Sequence, residues 1–268
     1  MIAQTSIHPA WWEFTRNSIK QMQIYRFQYL TYQLSILIQL FLLRMIWTAV
    51  YDGRESVDGV SSQTLLVFIT IASLQSLVGP YQITYAIQTR VESGQVAIDL
   101  LRPFGFLSQM IATEFGRTLG RLPILIVAVP LVLIVGSLRM PEWVNIGPYF
   151  LSLILAYVVN LLTWILLGML SFWLMQINGI RAMFGIAREF LAGVTVPLWF
   201  MPDGLRMVLE FLPFQAGVFL PASIFAGQVT GSGLIRPFLV QIAWIVVLSL
   251  IASVVWRRAQ RRIVVQGG

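Results

Sequence analysis

Cysteine is absent from the 268 residues, which excludes disulfides, thiolate catalysis and cysteine-ligated metals. Histidine occurs once, at His8, ahead of every long apolar run. A Ser–His hydrolase or a histidine-ligated metal centre inside a membrane therefore has no residues to build it. Lysine also occurs once, at Lys20, and Ile19 precedes it. The Gly-Lys-Ser/Thr of a phosphate-cradling loop is missing, so any ATPase driving this chain has to be another subunit. Charge is scarce: 11% of residues are charged, where a soluble domain carries about 25%. No two carboxylates are spaced to hold a magnesium diphosphate within an apolar run, which speaks against prenyl transfer. The middles of the apolar runs carry no carboxylate of the kind that proton-coupled carriers use.

What remains is apolar. Hydrophobic residues make up 57% of the chain and the mean hydropathy is +0.79. These values describe one all-α integral membrane domain over residues 1–268, with no room for a soluble domain of ordinary size. The net charge of +7 comes almost wholly from arginine and is explained by cytoplasmic loops rather than by nucleic acid. The N-terminus lacks a basic stretch followed by an apolar core, so no cleaved signal is expected. Residues 1–26 read instead as an interfacial amphipathic helix: Trp11, Phe14, Ser18, Met22 and Tyr25 share one face, and Arg16 and Lys20 lie a turn apart.

Six spans of roughly 20 residues are expected, near 27–50, 64–87, 111–138, 148–175, 180–200 and 237–256. Pro123 and Pro130 should bend the third, and residues 176–188 read as a short basic turn. With the N-terminus inside, thirteen of the 18 Lys and Arg residues fall on cytoplasmic segments or span ends. Only Arg54, Arg139, Arg206 and Arg236 fall outside, so both termini are expected in the cytoplasm. Glu114 and Glu189 sit beside Arg117 and Arg188, either as ion pairs fixing helix ends or as part of a partner-facing surface. Gln75, Ser76, Thr84, Tyr85, Asn160 and Thr163 are polar positions within spans. They are either interhelical hydrogen-bond glue or the lining of a substrate path, to which Tyr81, Tyr85, Trp164, Phe190 and Trp199 would add an aromatic wall. Such a path would suit an amphiphilic or lipophilic solute, cationic ones included.

Two stretches fit neither span nor ordinary loop. In residues 91–106 a short apolar run carrying Val96, Ile98, Leu100 and Leu101 follows Glu92, Ser93 and Gly94, and Arg102-Pro103 closes it. A helix so short must pack on something, either the lipid surface or a cytoplasmic partner. In residues 201–233, Pro202, Pro213 and Pro221 cut an apolar segment into halves too short to cross, which reads as re-entrant over 202–225.

The wording of residues 94–103, a Gly followed by an apolar run ending in Leu-Leu-Arg-Pro, resembles the permease subunits of type-2 ABC exporters. Residues 199–227, WFMPDGLRMVLEFLPFQAGVFLPASIFAG, look like the same family's extracellular re-entrant segment. The resemblance implies a coupling helix after the second span, gripped by an ABC ATPase dimer that binds the ATP and magnesium. Glu92, Gly94, Asp99, Leu100, Leu101, Arg102 and Pro103 would form it, with Leu100 and Leu101 as anchors and Asp99 and Arg102 as polar rim. Gln75, Tyr81, Thr84, Tyr85, Asn160, Thr163, Phe190 and Trp199 would line the path. Pro202, Leu212, Pro213, Phe214 and Pro221 would form an outer gate. A second permease copy or a paralogue would complete the unit in a bacterial-type plasma (inner) membrane, exporting its solute with lipid around it and no nucleic acid. An ion-coupled carrier and a non-transporting assembly subunit are the other classes the composition allows; an adjacent reading frame with a P-loop would separate them from the exporter.

The absence of cysteine makes the topology directly testable. A cysteine placed at Asp58 or Gly231 is expected to react with an impermeant thiol reagent on intact cells, and one at Gln260 only after lysis. Labelling of Gln260 from outside would invert the orientation.

Overall fold

The computed structural model describes residues 7–24, 26–135 and 141–266, most of them helical. The N-terminal six residues, Tyr25, the expected end of the third span at 136–138 and Arg139 lie outside the described residues. Helix α1 (Ile7–Ile24) leads into α2 (Arg26–Tyr51). A two-stranded hairpin, β1 (Ser56–Val57) with β2 (Val60–Ser61), follows in place of a plain acidic loop. Its turn, Asp58-Gly59, has both residues at positive φ, the geometry that favours Asp-Gly in tight hairpins. Then come α3 (Ser62–Leu77), α4 (Gln82–Glu92), α5 (Gln95–Leu100), α6 (Phe106–Val135), α7 (Trp143–Met169), α8 (Ser171–Leu174) and α9 (Asn178–Leu191). After a 3-10 turn at Leu198–Phe200, the chain forms α10 (Asp203–Glu210), α11 (Phe214–Gly217) and α12 (Phe219–Phe225), and ends in α13 (Ile235–Gln266).

Among the described residues, four segments are long and apolar enough to cross a membrane: Leu34–Tyr51, Ser62–Glu92, Trp143–Leu174 and Gly231–Arg262. Helix α6 holds the expected third span and stays one helix of 30 residues through Pro123 and Pro130. The expected fifth span is not a continuous helix. Helix α9 has 14 residues, about 21 Å, and stops at Leu191; Gly193 at φ +70 and Pro197 then break the run. The segment still climbs beside α2, with Gln39 bonded to Glu189 and the Trp47 indole donating to the Thr195 carbonyl. Residues 176–188, read as a turn, are largely α9 itself.

The expected second span is also broken. Between α3 and α4 the run Val78-Gly79-Pro80-Tyr81 leaves the helix. Proline lacks the N–H a helix needs and pushes the residue before it out of helical geometry. Two apolar clusters surround this break. One, at the hairpin end, gathers around Phe68, Leu65 and Ile69 with Trp199 and Phe219. The other, at the α5 end, gathers around Ile83, Ile87, Phe106 and Ile165, where Phe106 stacks on Trp256.

Helix α1 does not simply rest on lipid. Its Thr15, Ser18 and Met22 are buried on α6, against Ala112, Gly116 and Gly120. The Thr15 hydroxyl lies 3.2 Å from the Ala112 carbonyl, and Trp11 meets Phe115 ring to ring. Small residues one turn apart let two backbones approach, the usual device of helix pairs in membranes. A Cβ on Gly116 would overlap the Thr15 carbonyl, whereas nothing lies near Gly147. Gly116→Ala is therefore expected to cost about 1–3 kcal/mol and to lower the detergent melting temperature. Gly147→Ala should leave it unchanged or slightly raised.

Candidate functional site

A cleft of about 210 Å³ opens at the Gly79–Pro80 break. Gln75, Ser76, Gly79 and Tyr81 form one wall, Asn160 and Trp164 of α7 the second, and Gly185, Arg188 and Glu189 of α9 the third. Gly217 and Val218, at the joint between α11 and α12, close the top. Asn160 is its hub: its amide N–H₂ donates to the Gly217 carbonyl at 2.8 Å, and its carbonyl accepts from Arg188 at 2.6 Å. The Arg188 guanidinium also faces the Trp164 ring at 5.7 Å, a favourable cation–π distance. A Cβ on Gly217 would overlap the Asn160 amide, so glycine is what lets the broken segment approach α7 this closely.

Of the residues considered for the lining of a path, Gln75, Ser76, Tyr81, Asn160 and Trp164 border this cleft. Thr84 is wholly buried and donates to the Trp164 carbonyl at 2.7 Å, fastening α4 to α7. Thr163 bonds back to its own helix at Val159. Tyr85 is exposed beneath Arg181, and Phe190 is exposed on α9. Trp199 belongs to the aromatic cluster at the hairpin end. Arg188 and Glu189, read as helix-end groups, are wall residues instead, because residues 176–188 fold as helix and carry them up to the level of Asn160.

Glu114 forms the expected ion pair with Arg117 but has a closer partner in Arg121, and it is not on a partner-facing surface. It is wholly buried, with Arg121 at 2.8 Å and Arg117 at 3.5 Å.

At the opposite end, α4 and α5 form a bent arm. Gly94, at φ +69, makes the corner, a left-handed conformation that a side chain would strain. Asp99 is fully buried and paired with Arg90 at 2.6 Å and Arg102 at 3.5 Å, so it is a weld between the two helices and not a polar rim. Leu100 also turns inward, onto the cluster that holds Phe106 and Trp256. The exposed apolar residues are Ile98 at 55% and Leu101 at 86%, flanked by exposed Glu92, Arg102 and Pro103. Ile98, part of the apolar run but not among the expected anchors, lies on the exposed face because so short a helix has too little periodicity to mark its covered side.

At the hairpin end, the segment over 202–225 divides at Pro202 and Pro213, but not at Pro221, which lies inside α12; the further break falls at Val218. Pro202 starts α10 and Pro213 starts α11. Helix α10 lies on the surface with Met207, Val208 and Phe211 exposed, while α11 and α12, including Pro221, are buried among α3, α7 and α13. Leu212 packs on the core, and Phe214 meets Phe184 of α9. Glu210 clasps α10 to α13, taking Arg206 and Arg236 at 2.8 Å each.

The family model described as ABC-2 family transporter protein matches residues 30–267. No curated protein matches the chain.

Burial pushes the Glu210 carboxyl up, but the hydrogen bonds and charges of Arg206 and Arg236 outweigh it and hold the group below the usual range. A depressed carboxylate stabilises above its ordinary pKa and loses that contribution as pH falls through the lowered value. Amide exchange of α10 is therefore expected to be slower in the wild type than in Glu210→Gln at neutral pH. The difference should shrink as pH falls and vanish once the carboxyl is protonated in the folded protein, below its lowered value.

Proposed function

The chain belongs to the ABC-2 transporter family, and from that premise we propose that it is the permease of an ATP-driven exporter, working with a separate ABC ATPase dimer that binds ATP and magnesium. The observation that carries this reading is the α4–α5 arm. One end presents Ile98 and Leu101 to the surface, and the other ends at the cleft. The Arg90–Asp99 weld makes the arm stiff enough to carry a push. In this reading Ile98 and Leu101 are the anchors seated in the ATPase, with Glu92, Arg102 and Pro103 around them; buried apolar anchors dominate such contacts.

The substrate path runs through the cleft, whose polar wall and aromatic residue suit the headgroup of an amphiphile. Arg188 favours a head with hydrogen-bond acceptors over a purely cationic one. The buried α11–α12 segment with the α10 clasp serves as the outer gate. Helix α9 buries none of its residues, and α2 beside it exposes Leu34, Ile38, Phe41 and Met45. A second permease copy covers that face and closes the path. The six crossings are α2, α3–α4, α6, α7, the broken α9 segment and α13, with both termini in the cytoplasm of a bacterial-type inner membrane.

The test is the arm. Co-expressed with the ABC ATPase of the neighbouring reading frame, the wild type should co-purify with it. Leu101→Asp and Ile98→Asp should insert normally and lose at least tenfold of the bound ATPase. Leu100→Asp, facing the core, should instead lower yield and melting temperature. Full ATPase recovery with both exposed-face variants would refute the coupling role.

A further inference from the structure

The path and the arm leave one cluster unused. Behind Tyr81, away from the cleft, the Arg121 side chain is 2% exposed. Its guanidinium donates to the Glu114 carboxylate at 2.8 Å, to the Gly79 carbonyl at 2.8 Å, to Thr118 at 3.4 Å and to the Arg117 carbonyl at 3.2 Å. It also lies 4.9 Å from the centre of the Tyr81 ring. Thr118 is bonded in turn to the Tyr157 hydroxyl of α7 at 3.0 Å. One bond of this buried cation thus reaches the break in the second span, while the other three hold the guanidinium on its own helix, at Glu114, Arg117 and Thr118. The acceptor at the break is the backbone carbonyl of Gly79, which lies outside both α3 and α4.

We propose that Arg121 is a positioning residue for transport. Held by Glu114 and bonded to the Gly79 carbonyl, it pins the break between α3 and α4, so that a push on the arm turns α4 and α5 as one piece and moves Tyr81 in the cleft wall. Without the pin, the push is absorbed at Val78–Tyr81 and does not reach the cleft. The proposal rests on the exporter reading for the source of the push, but the pin itself is a property of this chain alone. A fork-shaped guanidinium is required, because one group must reach a carboxylate and a carbonyl on different elements at once. The ammonium of Arg121→Lys keeps the charge beside Glu114 and gives up the second bond, so this variant is expected to fold.

Two measurements separate the pin from the exporter reading. In the permease alone, in lipid nanodiscs, hydrogen exchange of residues 78–84 should be at least tenfold faster in Arg121→Lys than in the wild type, with α6 unchanged. Equal protection overturns the pin whatever the chain transports. In the complex with its ATPase, spin labels on cysteines at the exposed positions Thr89 and Gln260 report the arm against α13. The wild type should change distance on trapping with ATP and vanadate. Arg121→Lys should bind the ATPase and hydrolyse ATP within twofold of the wild type, yet show a broadened distance that no longer responds to trapping. A full wild-type response in Arg121→Lys overturns the proposal. A wild-type chain that binds no ATPase overturns the exporter reading and the transport role of Arg121 with it, leaving the exchange result to stand on its own.

Discussion

A membrane offers a broken helix no water with which to satisfy the carbonyls it releases, and the centre of this molecule is arranged around that constraint. Two segments break among packed helices, at Gly79–Pro80 and at Gly217–Val218. At each break, a side chain from a neighbouring helix meets a released carbonyl. Arg121 takes Gly79 and Asn160 takes Gly217, both at 2.8 Å, while Gln241 of α13 takes Ala216 at 3.0 Å. The cleft lies between the two breaks, so the polar groups that line it and the polar groups that hold the fold together are in part the same atoms.

Such an arrangement is costly to disturb. Glu114 and Arg121 are desolvated as a pair, and removing one partner of a buried pair typically costs about 3–5 kcal/mol because the other charge is left behind. The Asn160 bonds are neutral or singly charged and weaker, of the order of 0.6–2 kcal/mol in membrane helices. The break in the second span is met by one bond from a charged donor, and the α11–α12 joint by two bonds from neutral amides. The side of the cleft formed by α9, which buries none of its residues, is held least of all. Motion is expected where the chain is least welded, at α9, and rigid transmission where it is most welded, along α4 and α5.

The two ends of the molecule repeat this logic on a smaller scale. At the α5 end, buried Asp99 draws Arg90 and Arg102 together and leaves apolar Ile98 and Leu101 outside. At the hairpin end, Glu210 draws Arg206 and Arg236 together and leaves apolar Met207 and Phe211 outside. In both places a carboxylate between two arginines sets the position of a short helix that could not hold its shape alone.

The sequence by itself determined the class of the molecule and its punctuation. Scarce charge and long apolar runs specify membrane helices, and Pro202, Pro213 and Gly94 specify where short helices begin, because these are local effects of backbone geometry and solvation. The Gly79-Pro80 break and the Asp58-Gly59 hairpin were legible on the same terms and were passed over. Only the tertiary structure decided which face each short helix covers and which charges meet. Asp99 and Leu100 turned inward although the pattern put them at the rim and the anchor, since a six-residue helix has no periodicity long enough to mark its buried side. Arg121 and Gly79 lie 42 residues apart in the chain, and Arg188 and Asn160 lie 28 apart. Nothing local in an arginine announces the carbonyl or amide it will satisfy; that partner exists only once separate helices have packed and a break in one of them has left an acceptor within reach.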